Sequence, residues 1–175
     1  MQGWIPYFHV DGVPTLRDSQ IKDLWIRMVG EGTARTVFID GTVQSADDFL
    51  ASMKHPGNQL WVFMEDGEPL VFFWLNSFEG RTARVHFCAF KTVWGRRAKE
   101  IAADGLKLCL TDRDGKGPLL DCLIGYTPVR NRLACRFIQK IGMRPVGEVP
   151  NLLFDAYEGQ SITGLITSCT MEDLL

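Results

Sequence analysis

The spacing of apolar residues changes period twice between residues 60 and 126, and that change limits the available folds more than anything else in the chain. Leu60–Met64, Leu70–Phe78 and Ala83–Phe90 are aromatic and branched runs, separated only by Glu65-Asp66-Gly67-Glu68 and by Glu79-Gly80. Runs joined by such short turns predict an antiparallel meander. Ala98, Ile101, Ala102, Gly105, Leu106 and Cys109 then repeat at helical spacing, which predicts a helix from about Gly95 to Leu110. The apolar segment Leu119–Tyr126 reads as the next strand. A strand, a helix and a strand in that order form a crossover, so Ala83–Phe90 and Leu119–Tyr126, if neighbours, run parallel.

The flanking segments fit the same α/β plan. Ser19 is a candidate cap for a helix with the stripe Ile21, Leu24, Trp25, Met28 and Val29, stopped by Gly30 and Gly32. Ser45 caps a second helix with the stripe Ala46, Phe49, Leu50 and Met53, in a pattern close to a capping box with Asp48. Thr127-Pro128 reads as another helix start, with Leu133, Ala134, Phe137, Ile138 and Ile141 as its stripe and Gly142 as its end. Arg144 to Thr170 reads as two strands, and Ile5 to Val10 as a further one. The expected architecture is a mixed, mostly antiparallel sheet flanked by helices.

No linker or repeat divides the chain, so residues 1–175 are read as one domain. A formal charge of −2, with 46% apolar and 23% charged residues, excludes disorder and a strongly polybasic nucleic-acid binder. No apolar run approaches the ~20 residues of a spanning helix, and the first residues do not read as a secretion signal. Five cysteines without a C-x-x-C pair argue against a zinc ribbon or a redox dithiol. Reduced thiols and a cytoplasmic location are expected, with no nucleic-acid or membrane partner. A strand edge near the C-terminus could pair two copies into a homodimer.

The strongest local chemistry lies between Phe90 and Glu100. Lys91, Arg96, Arg97 and Lys99 place four positive charges in nine positions, with no acid among them. A helix start offers free amide donors and a partial positive charge, so cations there predict a bound anion such as a phosphate. The bland reading is a solvated basic helix end. His86 is the first candidate general base, because an imidazole near pKa 6.5 can take a proton from an ammonium; a structural, hydrogen-bonded histidine is its other reading. Glu65 and Glu79 sit beside turns, and Cys88 is a weaker candidate nucleophile. Gly115-Lys116-Gly117 lacks the spacing of a P-loop, and Asp112-x-Asp114-Gly115 is too short for a calcium loop. The histidines His9, His55 and His86 are too scattered for a metal site.

Asn131, Ala134, Phe137 and Gly142 fill the slots of an N-x-x-A-x-x-(F/L)-Y-x-x-x-G-F helix. This segment, with the element order from about Ser19 to Thr170, resembles the GNAT superfamily of acyl-CoA-dependent N-acyltransferases. The resemblance implies a central pair of parallel strands, here Ala83–Phe90 and Leu119–Tyr126, that splay apart around the pantetheine arm of acetyl-CoA or a related acyl-CoA. It implies that backbone near Cys88, Ala89 and Phe90 bonds that arm, and that amides of Cys88 and Ala89 polarise the thioester. Gly95, Arg96, Arg97 and Ala98 would hold the pyrophosphate, with Asn131 alongside. The acyl group would pass to an amine of a small molecule or peptide. Two slots depart from the family pattern. The phosphate loop (Q/R)-x-x-G-x-(G/A) keeps only its middle glycine, with Thr92 and Arg97 at the ends, and Ile138 stands where many members carry a proton-donating tyrosine. These departures favour the alternative of a catalytically inactive accessory protein, similar to short members carried by phages.

Overall fold

The computed structural model describes residues 2–111 and 117–175. The Asp112-x-Asp114-Gly115 motif and most of Gly115-Lys116-Gly117 therefore lie outside the described residues. The chain forms β1 (Gln2–Pro6), β2 (His9–Val10), β3 (Val13–Pro14), α1 (Asp18–Glu31), α2 (Ala34–Val37), α3 (Ala46–Lys54), β4 (Gln59–Glu65), β5 (Glu68–Glu79), β6 (Thr82–Ala89), α4 (Arg96–Leu110), β7 (Cys122–Pro128), α5 (Arg132–Lys140), β8 (Arg144–Asp155) and β9 (Gln160–Cys169). Short 3-10 turns follow β6 and β9.

Seven strands form one sheet in the order β1-β4-β5-β6-β7-β9-β8, and its single parallel pair is β6 with β7. The mixed sheet and its parallel centre are thus as the sequence implied. Alternation sorts side chains between the two faces. Phe72, Trp74, Cys88 and Phe90 pack with Leu24, Met28, Phe38, Phe49 and Met53 of the α1–α3 layer. Phe73, Leu75 and Ala83 pack with Ala102, Leu106 and Cys109 of α4 and with Leu123 of β7. Gly105 lets α4 approach closely, since a Cβ there would meet the Trp4 and Phe73 rings.

Two helix starts differ from expectation, and of the two glycines expected to stop α1 only Gly32 does so. Arg17, not Ser19, precedes α1, and its N–H donates to Gln20 Oε1 at 2.9 Å. Gly30 stays helical, and the left-handed Gly32 (φ 72°) ends α1. Thr127 and Pro128 extend β7 rather than opening a helix, because β9 follows β7 as far as the pair Pro128–Gly164. The cap falls instead on Asn131, whose Oδ1 accepts the Ala134 N–H at 3.1 Å. Ser45 does cap α3, its Oγ accepting Asp48 N–H at 3.1 Å.

β1 and β8 are the two edges of the sheet, and β8 is the one near the C-terminus. It carries Pro145 and Pro150 and shifts register at Pro145/Gly147 and Val149/Leu153. Proline and bulges interrupt an added strand, so this edge is poorly built for the two-copy pairing that the sequence suggested.

Candidate active site

β6 and β7 pair over three positions only: Thr82 with Cys122, Ala83 with Leu123 and Arg84 with Ile124. Beyond Arg84 they part, β6 remaining on β5 to Ala89 and β7 remaining on β9 to Pro128. The outer edge of β6 tells which backbone groups face this wedge. Phe90 N–H donates to Leu70 O at 3.0 Å. Alternation along the ladder then turns Cys88 and His86 toward β5, and Val85, Phe87 and Ala89 toward the wedge. Trp94 agrees: its indole N–H donates to the Ala89 carbonyl at 2.8 Å. Of the two amides expected here, Ala89 faces the gap, whereas the Cys88 amide faces β5 and Phe87 takes its place.

Two cavities run along the wedge and share Thr36, Val37, Phe87, Asn131, Ala134 and Phe137. The outer one, about 440 Å³, is lined by Cys88, Ala89, Lys91, Trp94, Gly95 and Ala98, with Leu133 of α5 on its other wall. Trp94 and Leu133 are large apolar side chains left 49% and 69% exposed at its rim. Gly95 precedes α4 with φ 104° and ψ −132°, a conformation that suits glycine alone, and the space beside it is open. No side chain caps α4 and no acid lies in its first turn. The inner cavity, about 310 Å³, reaches the closed end of the wedge, where Asp40, Arg84, His86 and Tyr126 are its titratable side chains.

The loop between β6 and α4 is tied to α1. The Arg27 guanidinium donates to Pro69 O at 2.7 Å and to Thr92 Oγ1 at 2.8 Å, pairs with Glu31 at 3.2 Å, and lies 4.1 Å from the Phe90 ring centroid. Glu31 Oε2 in turn accepts the Lys91 N–H at 2.7 Å. No motif marks these two residues in the sequence; helical spacing alone puts Arg27 beside Glu31.

Of the residues singled out from sequence, Cys88, Ala89, Gly95, Ala98 and Asn131 meet at the outer cavity, and His86 lines the inner one. Phe90 does not join them. Its ring is fully buried, its N–H is bonded to Leu70, and its carbonyl accepts the Val93 N–H at 3.1 Å. Arg96 and Arg97 are also absent from the lining. Arg96 pairs with Glu100 at 2.7 Å and Arg97 with Glu65 at 2.6 Å, so acids of the chain offset the charge that predicts a bound anion. Asn131 is explained locally by its cap, although it lines both cavities.

His86 Nε2 lies 3.0 Å from Asn76 Oδ1, and its ring stacks on Trp74 with centroids 4.5 Å apart. Burial, reinforced by the charge of Arg84, pushes its pKa down to about 4. A group held there is neutral at pH 7 and a weak base. Burial pushes the Cys88 thiol up to about 12, which removes it as a nucleophile near neutrality. Ile138 faces the inner cavity and offers no proton. Among the described residues no cluster of potential metal ligands occurs, and no helix is long and apolar enough to cross a membrane.

No protein-family model and no curated protein matches the chain. Solved structures do. Spermidine N-acetyltransferase from Vibrio cholerae, in complex with CoA and spermine, superposes with a TM-score of 0.71 at 11% identity, covering 91% of this chain and 94% of that one. The fold is that of the GNAT acetyltransferases. A Salmonella typhimurium acetyltransferase that modifies the N-terminal serine of a 50S ribosomal subunit protein gives a TM-score of 0.71 at 10% identity, covering 89% of this chain and 91% of that one. A ribosomal-protein α-N-acetyltransferase, RimL, in complex with coenzyme A gives 0.70 at 9% identity, covering 90% and 92%.

Proposed function

We propose that the protein is an N-acyltransferase that moves the acyl group of acetyl-CoA, or a related acyl-CoA, to an amine. The observation that carries this reading is the edge of β6 at Phe87 and Ala89, turned into a wedge that runs from the uncapped start of α4 to a polar pocket. Two of the similar structures hold CoA, which supports the same reading.

In this reading the wedge-facing groups of Phe87 and Ala89 bond the amides of the pantetheine arm. Trp94 occupies one lone pair of the Ala89 carbonyl and leaves the other free. The first-turn amides of α4 face the phosphates, with Lys91 beside them. Arg96, whose side chain is 92% exposed, gives up Glu100 for a phosphate at little cost, while Arg97 stays with Glu65. The Phe87 N–H polarises the thioester carbonyl. A neutral amine attacks that carbon from the inner cavity, the C–N bond forms, the C–S bond breaks, and the sulfur leaves as thiolate. With Ile138 in place the thiolate takes no proton from that position, which a thiol near pKa 8.5 tolerates. His86 is too weak a base to strip an ammonium, so the amine proton passes to solvent and His86 serves as a polar wall.

The test is thiol release from acetyl-CoA across a panel of amines. Turnover above the uncatalysed rate is expected with at least one class. Protection against thermal unfolding by CoA without any turnover would favour a CoA-binding accessory protein, the reading that Ile138 supports. Absence of both would overturn the assignment of the wedge.

A further inference from the structure

Among the described residues, no carboxylate pairs with the cation at the closed end of the wedge. Arg84 is the last residue of β6 paired with β7, opposite Ile124, so its side chain stands where the strands begin to part. It is half-buried and lines the inner cavity. Its guanidinium lies 4.1 Å from the centroid of the Tyr126 ring, and among the described residues it makes no ion pair. Arg27, Arg81, Arg97 and Arg130 each sit on a carboxylate, and Arg35, which also lies over a tyrosine ring, is exposed rather than half-buried. Asp40, the one acid lining the cavity, turns its Oδ1 to Thr42 N–H at 3.2 Å and Thr42 Oγ1 at 2.8 Å and makes no ion pair with Arg84. A guanidinium that lies over an aromatic ring still presents N–H donors to a carboxylate or a phosphate.

We infer that the acceptor is an amine bearing an anionic group, a carboxylate or a phosphate, which Arg84 binds at the closed end of the wedge while the amine points toward Phe87. The inference rests on the acyl-transfer reading of the same wedge. Strand geometry gives the scale: Arg84 and Phe87 are three residues apart on β6, roughly 10 Å along the strand, and the guanidinium, lying over Tyr126 two positions beyond its partner Ile124, shortens that span to the reach of a small amino acid. Amine and anion thus approach the pocket from opposite ends of one small molecule or of a short peptide. The same free charge opposes a polyamine, the ligand of one similar structure.

The experiment compares β-alanine, phosphoethanolamine, propylamine and spermidine as acceptors with wild type, Arg84→Gln and Arg84→Lys. Thiol release is measured in parallel with calorimetric binding of each amine to CoA-saturated protein. Wild type should prefer an anionic amine over propylamine by about tenfold or more, the scale of a charge-assisted hydrogen-bonded pair. Arg84→Gln should abolish that preference and Arg84→Lys should keep part of it. A lead for β-alanine identifies a carboxylate, and a lead for phosphoethanolamine a phosphate. Equal or better use of propylamine or spermidine by wild type would overturn the inference, as would an undiminished preference in Arg84→Gln. If no amine turns over, the binding arm decides the same question. If CoA itself does not bind, the acyl-transfer reading fails, and anion-dependent amine binding to the free protein, lost in Arg84→Gln, still decides the role of Arg84.

Discussion

Replacing Arg27 with methionine tests how the mouth of the wedge is held. The substitution keeps an unbranched apolar stem against Phe90 and deletes the guanidinium, which bonds Pro69 O and Thr92 Oγ1 and pairs with Glu31. Hydrogen bonds from a charged donor contribute about 1.5–3 kcal/mol each, and their sum is not additive. Water replaces part of them, since the Arg27 side chain is 24% exposed. A net loss of about 2 kcal/mol follows, equivalent to a fall in Tm of roughly 4–8 °C for a chain of this size. Urea unfolding at pH 7 measures it. The loss should be accompanied by weaker CoA binding, because Thr92 and the Lys91 amide lose the anchor that places the loop before Gly95. An unchanged unfolding midpoint would refute the claim that α1 braces this loop. A normal loss of stability with unchanged CoA affinity would refute the link between the brace and the site.

Further perturbations address single residues. Asn131→Ala should cost about 1 kcal/mol in denaturant unfolding through its lost cap, and Asn131→Asp should restore most of it. His86 has a folded pKa of about 4 against roughly 6.5 unfolded, so its contribution is intact above pH 6.5 and is lost as pH falls toward 4. The unfolding free energy should fall between pH 7 and pH 4.5 by on the order of 2–3 kcal/mol more in wild type than in His86→Gln. Native protein treated with iodoacetamide at pH 8 should show no adduct at Cys88 by mass spectrometry, and Cys88→Ser should keep its activity. Arg96→Ala should weaken CoA binding several-fold by calorimetry while Arg97→Ala leaves it nearly unchanged, a split that follows from the two ion-pair geometries.

Local pattern was enough where local physics decides the outcome. The meander between Leu60 and Phe90 was legible because branched and aromatic runs bounded by acidic or glycine turns leave few alternatives, and α4 because its stripe begins just after Gly95. The Thr127-Pro128 signal was local too, but it lost to pairing with β9, which keeps Pro128 in the sheet and moves the cap to Asn131. The Arg96–Glu100 pair follows the i,i+4 rule and was available to a sequence reader; the Arg97–Glu65 pair joins residues on α4 and β4 and was not. The lone charge of Arg84 was likewise hidden, since its meaning depends on where β6 and β7 separate. Phe90 falls outside the site because its backbone groups are taken by Leu70 and Val93, which strand position alone does not reveal.

Calorimetric titration of acetyl-CoA into wild type and Ala134→Phe tests the central claim most directly. Ala134 lines both cavities, and a benzyl group there fills the passage between them. Wild type should bind one equivalent, and Ala134→Phe, shown to be folded by its circular dichroism, should bind at least about tenfold more weakly. Equal affinity in the two proteins would mean that the ligand does not enter between β6 and β7, and the acyltransferase reading would not stand.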